Sequence, residues 1–308
     1  MFKKAALLVL LFIIIPSAFA YSLINKIDHV RINKTDKALG IKTADGTNLP
    51  KQEGIVNIAL FGLDRYQRAQ NGRSDTIIIC TIDFAQQTIK MSSIMRDLIV
   101  PIEGHGEDKI NHAYAYGGPQ LALKTINQNF NTSISDFVTV DFRTLKEAVD
   151  ALGGITIDVQ DEEREIINDY MDDRSKYITK SGKQLLDGEQ VLAYVSNRKF
   201  DNDFVRIDRQ KEVLAAVFNK VQKNGLTSLP NYVARILPYV ETSMTKTAIL
   251  NLGMSCFTQQ VNILEHERFP QDGYWQNANI AGVYYLQSDL AATKQQLHDF
   301  ILSDARAR

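Results

Sequence analysis

The chain has 308 residues, with 35 Lys+Arg against 36 Asp+Glu, two cysteines and 44% hydrophobic residues. That length can bury a full core. A net charge of −1 without a basic block excludes a nucleic-acid partner held by phosphate neutralisation, and the absence of low-complexity tracts excludes disordered and fibrous classes.

The N-terminus carries the strongest compositional signal. Met1-Phe2-Lys3-Lys4 precedes eleven apolar residues, Ala5 to Ile15, and no charge follows until Lys26. The charge-free stretch of 21 residues is close to the ~20 needed to cross a bilayer as a helix. Pro16 and Ser17-Ala18-Phe19-Ala20 also resemble a signal-peptidase site, whose use would release the protein. Length favours a retained anchor over residues 1–24, with Lys3 and Lys4 keeping the N-terminus cytoplasmic and the rest outside the cell. Residues 25–53 are polar and aperiodic and read as a spacer, leaving 54–308 as the folded domain.

Ile55 to Phe61 reads as a buried strand stopped by Gly62. Thr76 to Ile82 is almost wholly apolar, as suits a central strand covered on both faces, and Thr88 to Ile94 is a third strand. Gly117-Gly118-Pro119 punctuates a helix start, with Leu121, Leu123, Ile126 and Phe130 at apolar positions. Phe137 to Phe142 predicts a strand, Leu145 to Leu152 a helix and Ile155 to Val159 another strand; this alternation is α/β. Asp161 to Lys180 is charged enough to read as a solvated insertion. A long helix begins near Arg206, Val261 to Leu264 is strand-like, and a last helix starts near Leu290. Cys80 and Cys256 lack CxxC spacing and read as small core residues.

No HExxH, GxSxG or P-loop is present, and the five histidines are scattered. What stands out is Arg and Asp at strand ends: Asp64 and Arg65 after the first strand, Arg73 and Asp75 before the second, Arg96 and Asp97 after the third. One short connection separates Asp64 from Asp75, and its closure brings them together. Paired carboxylates suit Mg²⁺, and guanidiniums suit the non-bridging oxygens of a pyrophosphate; surface ion pairs are the plain alternative. Residues 198–210 hold four Arg or Lys and three Asp, with Arg206 and Gln210 one helical turn apart near a helix start that favours anions.

Taken together, these residues resemble the LytR-CpsA-Psr family of extracytoplasmic proteins. The resemblance spans about Ile55 to Val221. It rests on Phe61-Gly62-Leu63-Asp64, Arg73-Ser74-Asp75-Thr76, Ser93-Ile94-Met95-Arg96-Asp97 and Lys109-Ile110-Asn111-His112-Ala113-Tyr114-Ala115-Tyr116-Gly117-Gly118-Pro119. Further support comes from Asp150-Ala151-Leu152-Gly153-Gly154-Ile155, Leu186-Asp187-Gly188-Glu189-Gln190, Asp203-Phe204-Val205-Arg206 and Arg209-Gln210. It implies a central mixed β-sheet sandwiched between helices, with an apolar lipid groove. The implied activity is Mg²⁺-dependent transfer of an anionic glycopolymer, of teichoic acid or capsular polysaccharide type, from an undecaprenyl-pyrophosphate carrier to peptidoglycan through a phosphodiester. By position, Asp64 and Asp75 match the metal-associated carboxylates, and Arg73, Arg96, Arg198, Arg206 and Gln210 the pyrophosphate contacts. Arg65 is a further phosphate candidate and Lys109 a structural one.

Two positions depart from the family pattern: Ser196 stands where Arg is frequent, removing one phosphate donor, and Val205 where Gly is frequent. A lipid-pyrophosphate hydrolase, with water as acceptor, and a non-catalytic regulator or polyprenyl-lipid-binding module are the rival readings.

Overall fold

The computed structural model describes residues 28–42, 54–63, 72–196, 203–224 and 235–303. The chain begins with β1 (Asp28–His29), α1 (Asp36–Leu39), β2 (Ile55–Leu63), β3 (Ser74–Asp83), β4 (Thr88–Ile94), β5 (Ile99–Ile102) and β6 (Gly106–Lys109). Next come α2 (His112–Phe130), β7 (Phe137–Asp141), α3 (Phe142–Ala151), β8 (Ile155–Val159), α4 (Asp161–Tyr170), β9 (Gly182–Leu186), α5 (Gly188–Ser196) and α6 (Asp203–Asn224). It closes with β10 (Glu241–Thr242), α7 (Lys246–Thr258), β11 (Ile263–Phe269), β12 (Trp275–Ile280), β13 (Val283–Ser288) and α8 (Leu290–Leu302). The α/β class is as read from the sequence. The expected membrane helix, at 1–24, lies outside the described residues; among these, no helix is long and apolar enough to cross a membrane.

A seven-stranded mixed sheet runs in the order β1-β10-β7-β2-β3-β4-β11. β2 pairs parallel with β7 and β4 parallel with β11, while β3 is antiparallel to both β2 and β4. The C-terminal ends of β2, β4, β7 and β11 therefore share one sheet edge with the start of β3, and ligands in α/β sheets gather at such edges. The apolar run of β3 fits its central place, since most of its residues are buried.

Two compact units divide the chain. The larger contains the described residues of His29–Arg143, Ser196–Lys211 and Thr242–Arg308; the smaller contains those of Thr144–Val195 and Glu212–Glu241. In the larger, Ala59, Phe61, Leu63, Ile77, Ile79, Ile94 and Phe137 from the sheet meet Leu123, Ile126 and Phe130 of α2 and Leu297, Phe300 and Ile301 of α8. Strand alternation turns Ile58, Ile78, Cys80 and Ile82 to the opposite sheet face, where they are buried outside that cluster.

Lys90 of β4 is fully buried beneath α8. Its ammonium donates to the carbonyls of Phe300 (3.0 Å), Ile301 (3.2 Å) and Ser303, covering the negative end of the helix dipole. Leu39 is also fully buried in this core, so residues 28–42, inside the segment read as spacer, are part of the fold. An apolar residue every few positions was too sparse a signal in that polar stretch.

α2 starts earlier than expected, at His112, and loses helical geometry at Gly117 and Gly118 before Pro119 opens its second segment. The Gly-Gly-Pro signal thus marks a break inside one helix. At Gly118, φ is 60°, a conformation open to glycine at little cost.

In the smaller unit, β8 and β9 pair antiparallel, and Val149, Ile155, Val159, Leu186, Val191, Tyr194 and Val213 form its core. The stretch expected to be a solvated insertion includes α4, which buries Ile166 and Ile167 and opens with a capping box between Gln160 and Glu163. Its acids lie in the first turn, where they suit the helix dipole, and the apolar pair faces inward.

Candidate active site

The larger unit brings Asp75, Arg96, Asp97, Lys109 and Asn111 together at the sheet edge. Asp75 begins β3 and Arg96 follows β4, so neighbouring antiparallel strands set them side by side. The Arg96 guanidinium donates from Nη1 to Asp75 Oδ2 at 2.6 Å and from Nε to Asp97 Oδ2 at 3.3 Å. Lys109 Nζ reaches Asp97 Oδ1 at 2.6 Å, and Asn111 Nδ2 reaches Asp75 Oδ1 at 3.2 Å. Backbone bonds hold the arrangement: Asn111 N donates to Arg96 O and Ile110 N to Leu98 O.

These charges are largely desolvated without being sealed. The side chains of Asp75, Asp97, Lys109 and Arg96 keep between 11% and 17% exposure. A guanidinium in that condition is strongly attracted to its carboxylates, yet a stronger anion can reach it. Arg73 is exposed beside the same edge, and its carbonyl accepts from Asp75 N at 3.0 Å.

Gln210, from α6, accepts a hydrogen bond from Thr76 Oγ1 at 3.2 Å, which brings that turn of helix to the start of β3. Thr76 lies opposite Gly62 on β2, where an added Cβ would stand 2.8 Å from Thr76 Cβ; the glycine of the Phe-Gly-Leu-Asp motif is required by this approach. Asp64, Arg65 and Arg198 lie outside the described residues, as does the side chain of Arg206. The described residues contain no group of three or more His, Cys, Asp or Glu side chains able to hold a metal. Asp75 does, however, adjoin Asn111, whose buried amide oxygen has no hydrogen-bond partner. Oxygen donors of this kind fit a hard divalent cation.

Sequence reasoning missed the role of His266, because its partner is far away in the chain. His266 Nε2 and Ser93 Oγ form a hydrogen bond of 2.9 Å between β11 and β4. Burial pushes the His266 pKa down from 6.5 to about 4, with Lys211 and Arg268 adding to the effect, so the ring is neutral. His112 Nδ1 lies 2.8 Å from Asp108 Oδ2.

Not every family motif belongs to this site. Asp187 caps α5 by accepting from Glu189 N and Gln190 N, and Asp150 accepts from Gly188 N at 2.8 Å. A Cβ at Gly188 would lie 2.3 Å from the Lys146 carbonyl oxygen. The Asp150–Ile155 and Leu186–Gln190 motifs therefore build the smaller unit.

The LytR_cpsA_psr family model matches residues 21–299. This chain belongs to the LytR-CpsA-Psr family. It is 31% identical over 286 residues to the polyisoprenyl-teichoic acid–peptidoglycan teichoic acid transferase TagT of Bacillus subtilis (strain 168), covering 88% of this chain and 86% of that protein. It is 30% identical over 263 residues to the regulatory protein MsrR of Staphylococcus aureus (strain COL), covering 82% of this chain and 76% of that one. Among solved structures, TagT bound to LI-WTA superposes with a TM-score of 0.68 at 28% identity, over 90% of this chain and 98% of that one. A TagT structure with bound octaprenyl pyrophosphate lipid gives 0.65 at 26%, over 89% and 99%.

Proposed function

We propose that the chain is a phosphotransferase of the cell envelope. It moves an anionic glycopolymer from a polyprenyl-pyrophosphate carrier to peptidoglycan and leaves a phosphodiester. The observation that carries this reading is the Asp75–Arg96–Asp97–Lys109 network at a sheet edge where β3 begins; farther along the same strand, Ile78 and Cys80 give one sheet face an apolar strip. A charged edge adjoining an apolar face suits a ligand with a diphosphate head and a hydrocarbon tail. Kinship with TagT, and the lipid bound in one TagT structure, support the same reading.

The diphosphate takes the Arg96 guanidinium from Asp75, with Arg73, Arg65, Arg198, Arg206 and Gln210 as further contacts. The acceptor hydroxyl attacks the sugar-linked phosphorus, its P–O bond forms, and the bond to polyprenyl phosphate breaks. The hydroxyl proton passes to solvent as that bond forms, because a carboxylate that holds a metal is a poor base, and the arginines hold the charge that gathers on the departing phosphate. Asp64, Asp75 and the Asn111 amide oxygen would hold Mg²⁺, which supplies further positive charge to the diphosphate oxygens.

The segment 1–24 anchors the protein, with the catalytic residues outside the cell; its lysine-flanked apolar run supports this. The test is a reaction of the purified protein with a polyprenyl-diphosphate-linked sugar and peptidoglycan fragments, with and without Mg²⁺. The expected products are glycan-linked polymer and polyprenyl phosphate, formed only with acceptor and metal. Equal release of polyprenyl phosphate without acceptor makes the protein a hydrolase instead.

A further inference from the structure

Beside the charged edge, within the same unit, aromatic rings gather around Asp108. Its Oδ2 accepts from Tyr116 OH at 2.6 Å and from His112 Nδ1, and its Oδ1 accepts from Lys109 N at 2.8 Å and Tyr285 OH at 3.4 Å. Burial alone would raise the Asp108 pKa, yet the hydrogen bonds from Tyr116, His112 and the Lys109 amide outweigh it and hold the carboxyl below its usual value. The group is therefore an ionised hub that fixes three rings.

One of the three, Tyr116, is presented to solvent at 46% exposure, as is the neighbouring Tyr284 at 44%, whose hydroxyl donates to Asn277 Oδ1; His105 stacks on Tyr116 with centroids 4.2 Å apart. Nothing in the reaction described above uses them. Tyrosines that serve only the fold are more often buried to the hydroxyl, with the body in the core.

The cluster is continuous with the diphosphate site. Lys109 Nζ sits 5.5 Å from the Tyr284 centroid and 5.7 Å from that of Tyr285 while pairing with Asp97, which pairs with Arg96. Leu286 N donates to Asp97 O at 2.9 Å, so β13 is pinned by its backbone to the residue next to Arg96.

We propose that the exposed rings of Tyr116 and Tyr284, held by Asp108 and Lys109, form the subsite that seats the peptidoglycan glycan strand as acceptor. The inference rests on the transferase reading and deepens it. A pyranose ring presents C–H bonds on one face and hydroxyl and acetamido groups at its rim. Aromatic faces carry the partial negative charge that attracts the C–H face, and the carboxylate, ammonium and phenol groups around them match the rim. A flexible aliphatic patch offers neither.

Geometry favours the acceptor over the donor's own sugars. Ile110, Tyr114, Leu98 and Leu286, which carry the aromatic cluster, belong to the core on one side of the sheet. Ile78 and Cys80, assigned above to the lipid, face the other side. In-line displacement needs attacking and leaving oxygens on opposite sides of phosphorus. With the lipid phosphate leaving toward one face, the attacking hydroxyl comes from the other.

The test titrates the full-length protein with a tetrasaccharide of alternating N-acetylated amino sugars and, separately, with a short-chain polyprenyl diphosphate. Tyr116→Ala combined with Tyr284→Ala is expected to weaken tetrasaccharide binding about tenfold or more. Tyr284→Trp, which keeps a stacking face, is expected to bind it as the wild type does. Affinity for the diphosphate and the unfolding temperature stay unchanged in both. Equal tetrasaccharide affinity in wild type and double variant, or none in the wild type, overturns the subsite. Loss of diphosphate binding in the wild type overturns the transferase reading instead, and the saccharide titration reads the platform regardless.

Discussion

Two pairs of aspartates, one in each unit, use their oxygens differently. In the smaller unit, Asp187 and Asp150 accept from backbone N–H groups of Gly188, Glu189 and Gln190. In the larger, Asp75 and Asp97 accept from the side chains of Arg96, Lys109 and Asn111. A backbone amide cannot leave, so the first pair fixes a helix start and a tight approach. A guanidinium can rotate toward a better anion, so the second pair stores cations beside a ligand. The difference lies in what the carboxylate holds: all four sit in family motifs, but only those of Asp75 and Asp97 contain an arginine.

The largest effect should come from breaking the second pair. Asp75→Ala is expected to lower transfer about 10²–10³-fold, the scale of losing one preorganised charge, with little change in unfolding temperature. Full activity would place the chemistry elsewhere. Lys90 sharpens the comparison from the other direction, being a cation whose donors are spent on carbonyls of α8. Lys90→Met should cost about 3 kcal/mol in denaturant unfolding, because the carbonyls lose their partner in a buried setting. The folded fraction should keep its turnover.

His266 gives a pH arm. Its folded pKa lies below 6.5, so the unfolded chain binds more protons between about pH 4 and 6.5. Stability is complete above pH 6.5 and declines as pH falls toward 4, by about 2 kcal/mol after allowance for partial exposure. His266→Gln should flatten that decline in unfolding midpoints taken across the range, leaving the smaller slope from His298, whose pKa burial also lowers. Smallest is Asp187→Ala, expected to cost about 1 kcal/mol as a lost helix cap, with turnover per folded molecule unchanged. A turnover loss matching that of Asp75→Ala would erase the distinction between the two pairs.

Much of this was legible in the chain. Strands β2, β3, β4, β7 and β8 announce themselves through apolar runs, because a sheet strand reports its burial locally. Asp75, Arg73 and Arg96 were also legible, since they sit where those runs end. Lys90 was not: a lysine within a strand looks solvated until a helix more than two hundred residues later covers it. The approach of Tyr284 and Tyr285 to Lys109 and Asp108 escaped for the same reason, as it depends on the β13 backbone docking at Asp97. In the smaller unit, the motif residues Asp187 and Gly188 serve a helix start.

The central claim is that the Asp75–Arg96 edge binds a lipid diphosphate. Titrating a short-chain polyprenyl diphosphate into wild type, Arg96→Ala and Asp187→Ala tests it directly. The account predicts at least about tenfold weaker binding for Arg96→Ala and wild-type affinity for Asp187→Ala. Equal affinity in wild type and Arg96→Ala would contradict it.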